Sequence, residues 1–177
     1  MSLPAITLIS FGYFGKNILE RTAEAVSHEY NLPVILKEGH LDLSEFYDSA
    51  RRQYNGNSLL KQIDFWVQPD SLKTLGLFNV DLFIPILTFI FGQAFLGGKT
   101  GIASIYRLNN ERYGMAPDQN LMLSRFKKEV IHELGHTFGL IHCENPACVM
   151  KSSTYVEDID QKEEHVCYSC RTELKIR

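Results

Sequence analysis

His132-Glu133-Leu134-Gly135-His136-Thr137-Phe138-Gly139-Leu140-Ile141-His142 holds three histidines and a glutamate in the pattern H-E-x-x-H-x-x-G-x-x-H. A polar loop over 108–118 precedes it, and Asp118 is suited to cap a helix reaching to about Phe138. Four residues apart on that helix, His132 and His136 project from one face, ~6 Å apart at the backbone. Two nitrogens at that spacing can meet one zinc at about 2.0–2.1 Å. Glu133 is one residue on and rotated off the ligand direction, which suits a general base holding a zinc-activated water. Gly139 falls where the helix must stop, and glycine takes the left-handed conformation that turns a chain sharply. That turn brings His142 back as the third ligand. Three neutral ligands leave the metal its full charge and one open position, the requirement for amide hydrolysis.

All four cysteines follow directly. Cys143 and Cys148 form one close pair, and Cys167 and Cys170 another, separated by 18 residues. Pairs at such spacing read as a closed Cys₄ structural zinc site. Two disulfides are the alternative. A second zinc of this kind would supply folding energy to a segment with little apolar core. The chain is therefore expected to hold two Zn2+, one catalytic and one structural.

Composition narrows the rest. A length of 177 residues allows one domain, or one with a small appendage. A net charge of −3 argues against non-specific nucleic-acid binding, and the tail 143–177 holds more acids than bases. The run 82–98 is 17 residues long and uncharged, but Pro85, Gly92, Gln93 and Gly97-Gly98 interrupt it. A spanning helix needs about 20 apolar residues, so a buried strand hairpin is expected and no membrane association. Met1-Ser2-Leu3-Pro4 lacks the positive region and cleavage site of a secretory leader. A cytoplasmic protein is expected, and a reducing cytosol favours metal thiolates over disulfides.

Organisation is α/β. Ala5–Phe11 is nearly continuously apolar, as in a strand buried on both faces. Leu19, Ala23, Val26 and Tyr30 mark one face of a helix over Lys16–Tyr30, and Pro33-Val34-Ile35-Leu36 restarts a strand. Strand, helix, strand implies a parallel pair with right-handed crossover. Residues 42–64 read as helical, interrupted at Asn55-Gly56-Asn57. The runs 75–78, 82–91 and 102–106 predict further strands. The texture beyond Cys143 is turn-rich, with a last helix near 162–174.

From His132 through Cys143, Cys148, Met150, Cys167 and Cys170, the motif resembles that of the archaemetzincins, a branch of the metzincin zinc peptidases. The spacer between Met150 and Cys167 is one residue shorter than the family's usual one. The resemblance rests on about 40 residues and implies a metzincin-like zincin with a mixed, mainly parallel sheet. It also implies one catalytic domain over 1–177. Residues 1–139 would supply the sheet and active-site helix, and 140–177 the third histidine, the Met-turn and the Cys₄ zinc. By the same resemblance His132, His136 and His142 are catalytic zinc ligands and Glu133 the general base. Met150 is then the Met-turn methionine, a hydrophobic floor beneath the ligands. Metzincins bind substrate as an added strand on a sheet edge, and 88–94 is the candidate edge. The implied activity is peptide-bond hydrolysis on peptides or small proteins, aminopeptidase-like on small peptides.

A zinc-binding interaction module with a dormant active site is the alternative. An intact Glu133 argues against it, because a pure module needs no glutamate that leaves the metal alone. Tyr155 lies close enough in sequence to reach the metal, although packing accounts for it as well. His165, near Cys167, is read as exposed. His28 and His40 receive no role.

Overall fold

All seven residues of β1 (Ala5–Phe11) are buried, so this strand lies in the middle of a sheet. The computed structural model describes residues 3–174 and 176. Met1 and Ser2, part of the leader reading, lie outside them. After β1 come α1 (Lys16–Tyr30) and β2 (Val34–Gly39), which pairs parallel to β1. That is the expected βαβ unit. A 3₁₀ turn over Leu43–Phe46 leads to β3 (Tyr47–Asp48), β4 (Gln53–Asn55) and α2 (Gly56–Asp64). Next are β5 (Ser71–Phe78), β6 (Leu82–Phe83), β7 (Gly92–Ala94) and β8 (Thr100–Ser104). The chain ends in α3 (Gln119–Thr137), α4 (Val156–Gln161) and α5 (Tyr168–Glu173).

The main sheet has the order β2-β1-β5-β8-β7. Its first four strands are parallel and β7 runs antiparallel to β8, giving the mixed, mainly parallel sheet expected. Strand period two divides β1 between two cores. Ile6 and Leu8 join Val26 and Tyr30 of α1 and Phe126, Val130 and Leu134 of α3 on one face. Ile9 and Phe11 join Leu59, Leu60 and Ile63 of α2 on the other. The result is three layers, with α1 and α3 packed behind the sheet.

Three expectations need correction. Residues 42–64 are not one interrupted helix. The Asn55 side chain accepts from Ser58 N at 3.1 Å and starts α2, so the turn signal is an N-cap. Upstream, Tyr54 N donates to Asp81 O at 2.8 Å, which draws 53–55 into a small sheet ordered β3-β4-β6. The run 82–91 is not a buried hairpin strand either. Beyond β6 it is a loop tied back by one Leu82–Ile90 bridge, with Pro85 lacking a donor and Ile86 exposed. The last helix is only α5, and α4 had no periodic signal long enough to read. Among the described residues no helix is long and apolar enough to cross a membrane.

Candidate active site and metal centres

Asp118 begins α3 as expected, its side chain accepting from Leu121 N at 2.9 Å. The helix ends in a Schellman turn: Leu140 N donates to Gly135 O and Gly139 N to His136 O, both at 3.0 Å, with Gly139 at φ +94°. A side chain at that φ would be strained. The turn returns the chain so that His142 faces the helix, its ring 5.3 Å from that of His132 and 5.0 Å from that of His136.

The ring orientations are fixed by backbone. His132 Nδ1 lies 2.8 Å from Val149 O and His136 Nδ1 lies 2.7 Å from Leu140 O. A carbonyl only accepts, so each Nδ1 carries the proton and each Nε2 presents a lone pair. Those two Nε2 atoms face one another at 3.1 Å. Two lone pairs so close repel unless a cation lies between them. Nitrogens at about 2.0–2.1 Å around a tetrahedral ion stand roughly 3.3 Å apart, so the set suits zinc. His142 completes a trio whose ligand atoms all lie within 4.8 Å of one another.

Glu133 is buried beside this trio. Burial pushes its carboxyl well above the ordinary range, the Glu129 carboxylate adds to the rise, and Lys162 opposes it. A cavity of about 710 Å³ opens in front, lined by Glu133, the three histidines, β7 and the segment 152–155. Strand β7 comes very close to the glutamate. A Cβ on Gly92 would sit 2.7 Å from Ile102 O and 2.8 Å from Glu133 Oε1, so only glycine fits. Ser104 N donates to Phe91 O and Phe95 N to Thr100 O, at 2.8 and 3.0 Å. By antiparallel alternation the N–H and C=O of Gly92 and Ala94 then point away from β8, along an edge that no described strand covers. The expected edge 88–94 is thus reduced to 92–94.

Met150 is completely buried beneath α3. A Cβ on Gly135 would run into its Sδ, so that glycine in the helix is there to admit the methionine. The four cysteines come together as predicted, and all four are free. Cys143 Sγ lies 3.8 Å from Cys167 Sγ, and Cys148 Sγ 3.8 Å from Cys170 Sγ. Four sulfurs at about 2.3 Å from a tetrahedral zinc are ~3.8 Å apart, and a disulfide is far shorter. Backbone N–H groups of Met150 and Cys167 point at Cys148 Sγ, at 3.4 and 3.3 Å. The Cys170 backbone N–H lowers the Cys167 thiol to about 7, toward the thiolate a metal needs.

The two centres share one short segment. Cys148 belongs to the sulfur cluster, Val149 O holds His132, and Met150 packs under Gly135. Tyr155 is exposed at the mouth of the cavity. His165 is exposed, as expected. Its Nδ1 lies 2.7 Å from Glu29 Oε2, and Arg171 and Val166 N bind the other oxygen, which anchors the tail to α1. His28 sits beside this group. His40 stays outside every candidate centre among the described residues. Gly92 lay within the expected edge, but its close fit against Glu133 was not read from sequence. Two residues were missed. Glu129 carried a signal, four residues before Glu133 on one helix face. Lys162, buried beneath the site, carried none.

A family profile described as Peptidase family M54 matches residues 1–176. The chain is 42% identical to an archaemetzincin of Pyrococcus horikoshii over 151 residues, 83% of this chain and 80% of that protein. It is 34% identical to one from Thermococcus kodakarensis over 175 residues, 96% and 94% of the two chains. Among solved structures, an archaemetzincin of Methanopyrus kandleri superposes with a TM-score of 0.83 at 34% identity, covering 96% of this chain and 92% of that one. A zinc-dependent peptidase of Methanocorpusculum labreanum gives 0.87 at 28%, covering 96% and 100%.

Proposed function

The chain belongs to peptidase family M54, the archaemetzincins, a family of zinc metallopeptidases, and on that premise we propose that it hydrolyses peptide bonds through His132, His136, His142 and Glu133. The observation that carries this is the pair of histidine rings whose Nδ1 atoms are committed to backbone carbonyls, turning both Nε2 lone pairs onto one point beside Glu133. Zinc, when bound there, lowers the pKa of water to about 7 and polarises the scissile carbonyl. Glu133 takes the proton from the attacking water and passes it to the leaving amine. Its buried, raised carboxyl makes it a stronger base once ionised than an exposed glutamate. Gly92 and Ala94 bind the substrate backbone as an added strand and hold the scissile bond against Glu133. Substrates are peptides or small proteins in extended conformation, with aminopeptidase-like action on small peptides as the finer reading. The four cysteines hold a second, structural zinc that orders residues 140–177 against residues 1–139.

Zinc per chain tests the reading. Wild type should hold two, and a His132→Ala/His136→Ala variant one. Equal zinc in both proteins, after zinc has been added back, would remove the histidine site.

Activity should fall on the acid side of neutrality. Glu133 must be ionised, so its contribution disappears as pH drops through a carboxyl value raised by burial. The histidines must be unprotonated, and burial lowers all three below the ordinary imidazole value, most strongly His132. Both losses lie in the same direction. Burial moves the carboxyl up from the ordinary glutamate value and the imidazoles down from the ordinary histidine value, about 4.3 and 6.5. A kcat/KM profile over that range, with bound zinc counted at each pH, checks it. Full activity at the bottom of the range would contradict both roles.

A further inference from the structure

Lys162 takes no part in the chemistry above, yet its side chain is wholly buried at the base of the site. Burying an ammonium is costly unless its protons find acceptors. Nζ donates to Val149 O at 3.0 Å and to Lys151 O at 2.8 Å. These are the carbonyls on either side of Met150. Val149 O is also the atom that receives the His132 Nδ1 proton. Glu129 Oε1, 3.9 Å from Nζ, is the nearby counter-charge and accepts no hydrogen bond from the described residues.

We propose that Lys162 is a positioning residue for the histidine site, pinning the carbonyls of Val149 and Lys151 so that Val149 O holds His132 with Nε2 facing the metal. The proposal rests on the zinc-binding reading of His132, His136 and His142. A carbonyl offers two lone pairs, and Val149 O uses one for Lys162 and one for His132. Hydrogen bonds from an ammonium are roughly twice as strong as neutral ones. Two of them spanning one residue fix both the rotation of the Val149 peptide and the placement of Met150 under Gly135. Without the lysine, the Val149 carbonyl keeps only the imidazole as partner, and the peptide is held on its other edge by the long Met150 N–H contact to Cys148 Sγ, 3.4 Å. Lys162 is itself delivered by the C-terminal part. It directly follows α4, and Glu163 N donates to Ala147 O at 2.8 Å. Val149 N in turn donates to His165 O at 3.0 Å. The lysine therefore links the cysteine-held segment to a ligand of the other centre through the Val149 carbonyl.

The test is zinc affinity rather than turnover. Holoprotein is titrated with a zinc chelator and the two release steps are followed for wild type, Lys162→Met and Val156→Ala. Lys162→Met keeps the apolar stem and loses the donors. Val156→Ala opens a cavity under α4, the helix that precedes Lys162, and removes no hydrogen bond to Val149 O or Lys151 O. The expected result is about 10–100-fold weaker zinc at the histidine site in Lys162→Met, as for other groups that orient ligands, with the cysteine zinc retained. Val156→Ala should lower the melting temperature without moving that step. Wild-type affinity in Lys162→Met, or an equal loss in Val156→Ala, overturns the positioning role and leaves the site reading intact. A wild type with no histidine-site zinc, indistinguishable from His132→Ala, overturns the site reading and this inference with it. If Lys162→Met does not fold, Lys162→Gln, too short to span both carbonyls, is read in the same way.

Discussion

Glu133→Gln is expected to lower kcat by roughly 10²–10⁴ while both zincs stay bound, the range attributed to general acid–base catalysis. That is about 2.7–5.5 kcal/mol of barrier. The amide keeps the volume of the carboxyl, so the buried packing around Gly92 is preserved. It cannot accept a proton at neutral pH. Glu129, the adjacent buried carboxyl group, lies 3.9 Å from Lys162 Nζ and stands a full helical turn back from Glu133, so it does not replace the lost base. Stability should not suffer. Burial disfavours the charged form of Glu133 and Glu129 adds to that, so a neutral amide at this position loses no favourable burial of charge. KM should change little, because the edge strand and the metal are untouched. Single-turnover cleavage of a peptide that wild type cuts, run beside zinc analysis and a melting curve, separates the effects. A variant that cuts at the wild-type rate with zinc in place would leave Glu133 without a role. A variant that loses zinc would make it a ligand.

The residues of this site were readable because their chemistry is local. His132, Glu133 and His136 lie within two turns of one helix, and Gly139 signals the turn that delivers His142. The sulfur cluster was readable from spacing because two close cysteine pairs can supply four thiolates to one tetrahedral ion. β1 was readable because a strand covered on both sides must be apolar at every position, as its seven buried residues are. The run 82–91 misled for a related reason. Apolar residues also line clefts, and Ile84, Leu87 and Phe89 line the cavity, with Ile84 and Phe89 only partly buried at the margin of the core. Lys162 lay beyond the sequence because its partners are backbone carbonyls 11 and 13 residues away, and any residue type supplies a carbonyl. The fit of Gly135 over Met150 was hidden similarly, since a glycine in a helix says that something comes close without saying what.

Cys170→Ser should remove one zinc and lower the melting temperature by about 6–12 °C. Structural zinc contributes apparent binding energies of about 10–16 kcal/mol in small zinc-folded peptides. One ligand of four accounts for roughly a quarter of that, ~3 kcal/mol, and in a chain of this size each kcal/mol shifts the midpoint by about 2–4 °C. The thiol sits in the main core, packed with Val149, Met150 and Val166, so the loss falls on residues that also support the histidine site. Activity should therefore decline in step with the folded fraction and with histidine-site zinc, through Val149 and Met150 rather than through the reacting groups. Raising zinc should restore part of that activity and none of the lost stability. A Cys170→Ser protein with two zincs and an unshifted melting curve would show that the four thiols hold no metal that matters to the fold. Restored stability at high zinc would mean the serine site still binds, and Cys148→Ser, whose sulfur accepts two backbone N–H groups, would then decide the matter.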